Sequence, residues 1–122
     1  MSRFPKTIEF AHLNRPIGVE WEARNLEVEG TIPPEINGCF YRAVPDPAFA
    51  PIFPDDSILS GDGMISCFRF ENGAVDHAIR YLRTPRFEAE RNARKALFGR
   101  YRNPFSDRPE VKGVDRAVAN TT

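Results

Sequence analysis

Two β patterns meet at Glu71-Asn72-Gly73, and that junction limits the fold more than any other feature of the chain. Residues 64–70 (MISCFRF) alternate, with Met64, Ser66, Phe68 and Phe70 on one face. Residues 74–82 return with Val75, His77, Ile79 and Tyr81 on one face. Asn-Gly between alternating strands specifies a two-residue hairpin turn, because both central residues there take positive φ. A hairpin alone is marginal in water, so other elements have to cover it.

Those other elements are few. Residues 1–25 read as an extended lead-in punctuated by Pro5 and Pro16, each of which biases its predecessor to extended geometry. Residues 26–30 (LEVEG) alternate as a half-buried strand would. Residues 31–38 (TIPPEING) form a turn, and residues 39–44 a second strand. Four prolines make residues 45–57 an irregular loop, held to the body by Phe49 and Phe53. Gly61-Asp62-Gly63 is a tight turn. Ala89, Ala93, Ala96 and Leu97 fall at helical spacing and predict a helix over 87–98, with Thr84 or Pro85 near its start and Gly99 as its cap. Residues 100–116 read as loop, and 114–119 as the beginning of another strand. The fold class is mainly β, and its apolar strand faces call for partners beyond these residues.

Charge narrows the function. Seventeen basic and seventeen acidic residues cancel, which argues against a dedicated nucleic-acid binder. The halves differ: residues 1–56 carry a net −4 and residues 57–122 a net +4. Residues 80–102 alone carry +6, with Tyr81, Phe87, Phe98 and Tyr101 interleaved. Such a stretch suits single-stranded nucleic acid, or else a solvated helix face paired with the acidic N-terminal half. Cys39 and Cys67 are the only cysteines, and the N-terminus has no apolar leader. The reducing cytoplasm is therefore the expected compartment. No run approaches the roughly 18 apolar residues of a membrane helix.

The residues offer little chemistry by themselves. His12 and His77 are far apart in sequence, with no HxxxH and no CxxC, so no metal site is expected. His77 reads as a strand histidine with an ordinary hydrogen bond. Asp55, Asp56 and Asp62 do not match a calcium loop, and read as loop solvation and turn formation. Ser60 has no nucleophile-elbow context. Cys39 and Cys67 lie in apolar strand contexts and read as inert packing. Tyr101, in Phe98-Gly99-Arg100-Tyr101-Arg102-Asn103-Pro104, can donate a hydrogen bond to a phenolic or carbonyl ligand, or serve as a structural tyrosine.

Several segments taken together carry a resemblance. Asn25-Leu26-Glu27-Val28-Glu29-Gly30-Thr31-Ile32-Pro33-Pro34-Glu35-Ile36-Asn37-Gly38 resembles the opening of the carotenoid cleavage oxygenase family. Tyr41-Arg42 with Pro45-Asp46-Pro47, Ser60-Gly61-Asp62-Gly63-Met64, Arg80-Tyr81-Leu82-Arg83-Thr84 and Ala119-Asn120-Thr121 follow in the family's order. Leu97-Phe98-Gly99-Arg100-Tyr101-Arg102-Asn103-Pro104 and the Asp55-Asp56 and Phe68-Arg69-Phe70 segments are similar to the bacterial lignostilbene dioxygenases.

The resemblance implies a seven-bladed β-propeller with one non-haem Fe(II) on four histidines. It implies cleavage of an alkene double bond by O2 to two carbonyl products. The substrate would be a small phenolic stilbene, or a carotenoid or apocarotenoid. Tyr101 matches the tyrosine that holds the substrate's 4-hydroxyl in the lignostilbene branch, and Leu59 falls at a pocket position before the GDGM turn. Neither His12 nor His77 matches an iron ligand, so the four-histidine site is expected beyond Thr122. A propeller blade takes about 40–45 residues, so residues 1–122 are expected to be the N-terminal segment of a single propeller domain, inactive alone and binding no iron. Two rivals stand beside this: a truncated, non-catalytic remnant, and a small anion- or nucleic-acid-binding module built on residues 80–102.

Overall fold

The computed structural model describes residues 3–117. Its centre is one four-stranded antiparallel sheet in the order β1-β4-β3-β2, built from β1 (Trp21–Ala23), β2 (Gly38–Pro45), β3 (Gly63–Glu71) and β4 (Ala74–Tyr81). A sheet of this kind is the unit from which propellers are assembled. The single α-helix among the described residues, α1 (Pro85–Ala93), follows β4 after a three-residue link.

The hairpin forms as the sequence requires. Asn72 and Gly73 take φ of +50° and +79°, and Glu71 pairs with Ala74. The register places Met64, Ser66, Phe68 and Phe70 opposite Tyr81, Ile79, His77 and Val75, so the two expected faces coincide. Met64, Ile79, Tyr81 and Phe87 form the main core, with Val44 and Ala48 against it. Tyr81 and Phe87 stack with ring centroids 4.9 Å apart, which docks α1 on the sheet. A second cluster of Leu97, Phe98 and Val111 packs under the loop that follows α1.

Several expectations are corrected. The strand expected at 26–30 is absent, and the partner of β4 is Trp21–Ala23, within the stretch read as lead-in. Asn25 explains the shift. It takes φ +53° and gives its N–H to the Asp76 carboxylate, and beyond it only Leu26 bonds back to the Val75 carbonyl. Short 3-10 turns at Ile8–Phe10 and His12–Asn14 also replace extended chain.

The helix runs 85–93 rather than 87–98. Thr84 caps its start by accepting from the Phe87 N–H, Pro85 occupies the first turn, and Arg94 in the left-handed region ends it. Gly99 is therefore not its cap. Residues 114–117 form no strand, and the rest of the strand expected at 114–119 lies outside the described residues.

Cys39 is exposed rather than packed, because the register sets it with Tyr41 and Cys67 on the sheet face opposite Met64. Among the described residues no layer covers that face. The Met64 face is also open at its far end, where Trp21 and Phe40 stand 55% and 58% exposed.

Candidate functional site

Leu59 and Tyr101 sit on two turns that one side chain joins. Leu59 lies in a 3-10 turn, Ile58–Ser60, whose entry is capped by the Ser57 hydroxyl accepting from the Leu59 N–H. The buried Ser60 hydroxyl accepts from the Tyr101 N–H at 3.0 Å and donates to Asp56 at 2.8 Å. The two positions are thus brought together through Ser60. Leu59 is half exposed, and Tyr101 is partly buried with the Arg102 guanidinium 5.2 Å above its ring.

The turn carrying Tyr101 is held from below. The Asp107 carboxylate accepts from the Gly99 N–H at 2.8 Å and takes a two-pronged pair from Arg116 at 2.9 Å. Ser106 accepts from the Arg100 N–H at 2.8 Å. The Arg100 side chain reaches across to Asp55 at 2.7 Å and lies over the Phe53 ring. A Cβ added to Gly99 would meet Ser106 Oγ at 2.2 Å and its carbonyl oxygen at 2.3 Å.

The floor is a buried polar cluster. Asp56, Ser60, Asp62, Arg86 and Glu90 are all buried. Glu90 Oε1 accepts from the Leu97 and Phe98 N–H groups, and an Arg86 Nη donates to the Ser60 carbonyl. Asp56 and Asp62 are therefore not solvated as expected: Asp62 Oδ2 accepts from the Ala48 N–H and Asp56 from Ser57. Only Asp55 remains at the surface. Burial pushes the Asp62 and Glu90 carboxyls up, against the pull of Arg86. Burial also pushes Asp107 up, but Arg116 and the Gly99 N–H outweigh it and hold that carboxyl below its ordinary range.

A folded carboxyl held low binds fewer protons than the unfolded one, so its contribution is present above the ordinary value of about 3.9 and is lost as pH falls through its own lower value. Acidification below that ordinary range is expected to release the 99–107 loop before the hairpin. Hydrogen exchange should lose protection at Gly99 first and keep it at Ile79; simultaneous loss would contradict the assignment.

A groove of about 530 Å³ lies on the open end of the sheet face, lined by Trp21, Phe40, Phe68, His77 and Ile79, with Ile58 at one side. Neither Leu59 nor Tyr101 lines it. His77 makes the ordinary hydrogen bond expected of it, to Ser66 at 2.8 Å, with its ring stacked on Phe68 at 4.2 Å and met edge-on by Trp21. Among the described residues no three His, Cys, Asp or Glu side chains are grouped as a metal would need, so the residues present do not fit an iron site. No described helix is long and apolar enough to cross a membrane.

The basic stretch is largely paired. Arg80 and Arg83 bond Glu22 and Glu20 from the acidic lead-in, Arg100 bonds Asp55, and Arg86 is buried. Sequence reading missed the buried Asp56, Asp62, Arg86 and Glu90. Only the placement of Glu90 at i+4 from Arg86 on a helix could have signalled them.

Comparison with known proteins places this geometry. A family profile described as retinal pigment epithelial membrane protein matches residues 14–122. Resveratrol cleavage oxygenase 1 of Chaetomium globosum is 48% identical over 120 residues, 98% of this chain and 20% of the relative. Isoeugenol monooxygenase of Pseudomonas putida is 52% identical over 107 residues, 88% of this chain and 22% of the relative. The crystal structure of Pseudomonas brassicacearum lignostilbene dioxygenase superposes with a TM-score of 0.86 at 39% identity, over 100% of this chain and 24% of that one. The chain spans less than a quarter of the length of these three proteins.

Proposed function

This chain belongs to the carotenoid oxygenase family, that of the retinal pigment epithelial membrane protein, and on that premise we propose that it is the N-terminal portion of an oxygenase that cleaves the C=C bond of a phenolic alkene with O2. One alkene and one O2 give two carbonyl products, each carbon of the broken double bond taking one oxygen atom. The similarity to relatives named for resveratrol and isoeugenol carries the reading, since both names denote phenols bearing a conjugated alkene. The family name keeps a carotenoid or apocarotenoid as the second reading.

Within these residues Tyr101 is the group we assign to the substrate, donating to or accepting from its 4-hydroxyl, with Leu59 shaping the adjacent wall. Holding that hydroxyl as it loses its proton pushes electron density along the conjugated system into the alkene. The Ser60, Asp107 and Arg116 contacts fix where Tyr101 stands. Iron, which the family resemblance implies, would activate O2. We place its ligands in other parts of a longer polypeptide. The pairing of Arg80, Arg83 and Arg100 with carboxylates counts against an anion-binding module.

The test is Tyr101→Phe in the whole polypeptide. A hydrogen bond to a charged group is worth about 1.5–3 kcal/mol, so kcat/KM for 4-hydroxystilbene is expected to fall about 10- to 100-fold. The 4-methoxy analogue, whose ether oxygen cannot become an anion, should lose far less. Equal losses on the two substrates would remove Tyr101 from substrate recognition.

A further inference from the structure

Arg86 Nε and Asp62 Oδ1 are buried and each lacks a hydrogen-bond partner. They face one another at 3.9 Å, too far for a hydrogen bond. Glu90 Oε2 lies at the same 3.9 Å from Arg86 Nε. The three residues are only 2–6% exposed. Between them and Ser60 lies a cavity of about 20 Å³, walled on its other sides by Phe10, Pro47 and Phe98.

A buried donor or acceptor left without a partner loses its hydration and gains nothing in return, so a folded chain rarely leaves two of them face to face. A cavity that takes a single water needs at least about 10–15 Å³ and two to four polar partners. This one meets both conditions. We propose that a single buried water molecule is a constitutive ligand of this chain, accepting from Arg86 Nε and donating to Asp62 Oδ1 and Glu90 Oε2.

The chemistry selects water over other small occupants. A cation would meet the Arg86 guanidinium, and an anion would meet two carboxyls. A water satisfies the donor and both acceptors at once. It also links the start of β3 to α1, and through the Arg86 bond to the Ser60 carbonyl it steadies the turn that joins Leu59 to Tyr101.

The test is a crystal structure of the protein at about 1.5 Å, from crystals grown in rubidium chloride. The expected result is one ordered water within 3.2 Å of Arg86 Nε and Asp62 Oδ1, with no anomalous peak there. An empty gap, a direct Arg86–Asp62 hydrogen bond that closes it, or a rubidium peak in it would each overturn the assignment.

Discussion

Asp46→Ala, just beyond the end of β2, is expected to cost about 3 kcal/mol. The Asp46 carboxylate is 3% exposed and accepts three hydrogen bonds, from the Ile17 N–H, the Gly18 N–H and the Tyr81 hydroxyl. Alanine would leave the buried Tyr81 hydroxyl without an acceptor and free the Ile17 and Gly18 N–H groups from the contact that holds the chain there. The consequence is topological as well as energetic. Residues 17 and 18 deliver the chain to β1, so losing their anchor should detach β1 from β4. Hydrogen exchange is expected to lose protection along β1 while the β3–β4 pairing persists. Tyr81→Phe is the control: it removes one donor and leaves the carboxylate two, so it should cost about 1–2 kcal/mol. Burial, together with Asp46, pushes the Tyr81 phenol well above its ordinary value, so this tyrosine should not ionise before the chain unfolds in alkali. Equal costs for the two substitutions would show that the backbone donors at 17 and 18 contribute nothing.

Gly99→Ala is expected to be nearly as damaging, for a steric reason. Its Cβ would stand 2.2–2.6 Å from three Ser106 atoms, two of them backbone. Backbone cannot rotate aside as a flexible side chain can, so the 99–107 turn has to open. Overpacking in a fixed site costs about 1–3 kcal/mol, and here the Asp107 bond to Gly99 and the Ser106 bond to Arg100 go with it. Tyr101 would move with the turn. In the whole polypeptide the variant should lose the same preference for 4-hydroxystilbene over its methoxy analogue that Tyr101→Phe loses. A destabilised variant that kept this preference would separate the turn's packing from substrate recognition.

The sequence made the hairpin legible because turn chemistry and alternation agree at Asn72-Gly73. Register followed from that agreement, since a one-residue slip would turn Met64 and Tyr81 to the other face. Trp21–Ala23 was not legible as a strand. Three residues are too few to show a period, and their pairing depends on Arg80 reaching the Trp21 carbonyl from a distant element. Residues 26–30 carried the alternation instead, but Asn25 breaks the ladder before it. The helix ran short because Glu90 turns inward to take the Leu97 and Phe98 N–H groups, a tertiary bond that no local propensity encodes. At the site, Tyr101 stood out as a polar aromatic just after the helix, but only the resemblance gave it a role and marked Leu59. That Ser60 joins them depends on a contact across 41 residues, which spacing does not reveal.

The open sheet faces bear on the whole reading. Phe40 and Trp21 on one face and Tyr41 on the other are more than half exposed. Strands apolar on both faces are those that other layers cover. In relatives four to five times as long, there is chain enough to supply such layers.

Incubating the polypeptide, as its source cell makes it, with 4-hydroxystilbene and O2 and identifying the products by mass spectrometry decides whether it cleaves a phenolic alkene. Two aldehydes in equal amounts, formed only when O2 is present, are expected. Recovery of the stilbene intact, by a protein that is folded and carries its iron, would contradict the proposed cleavage.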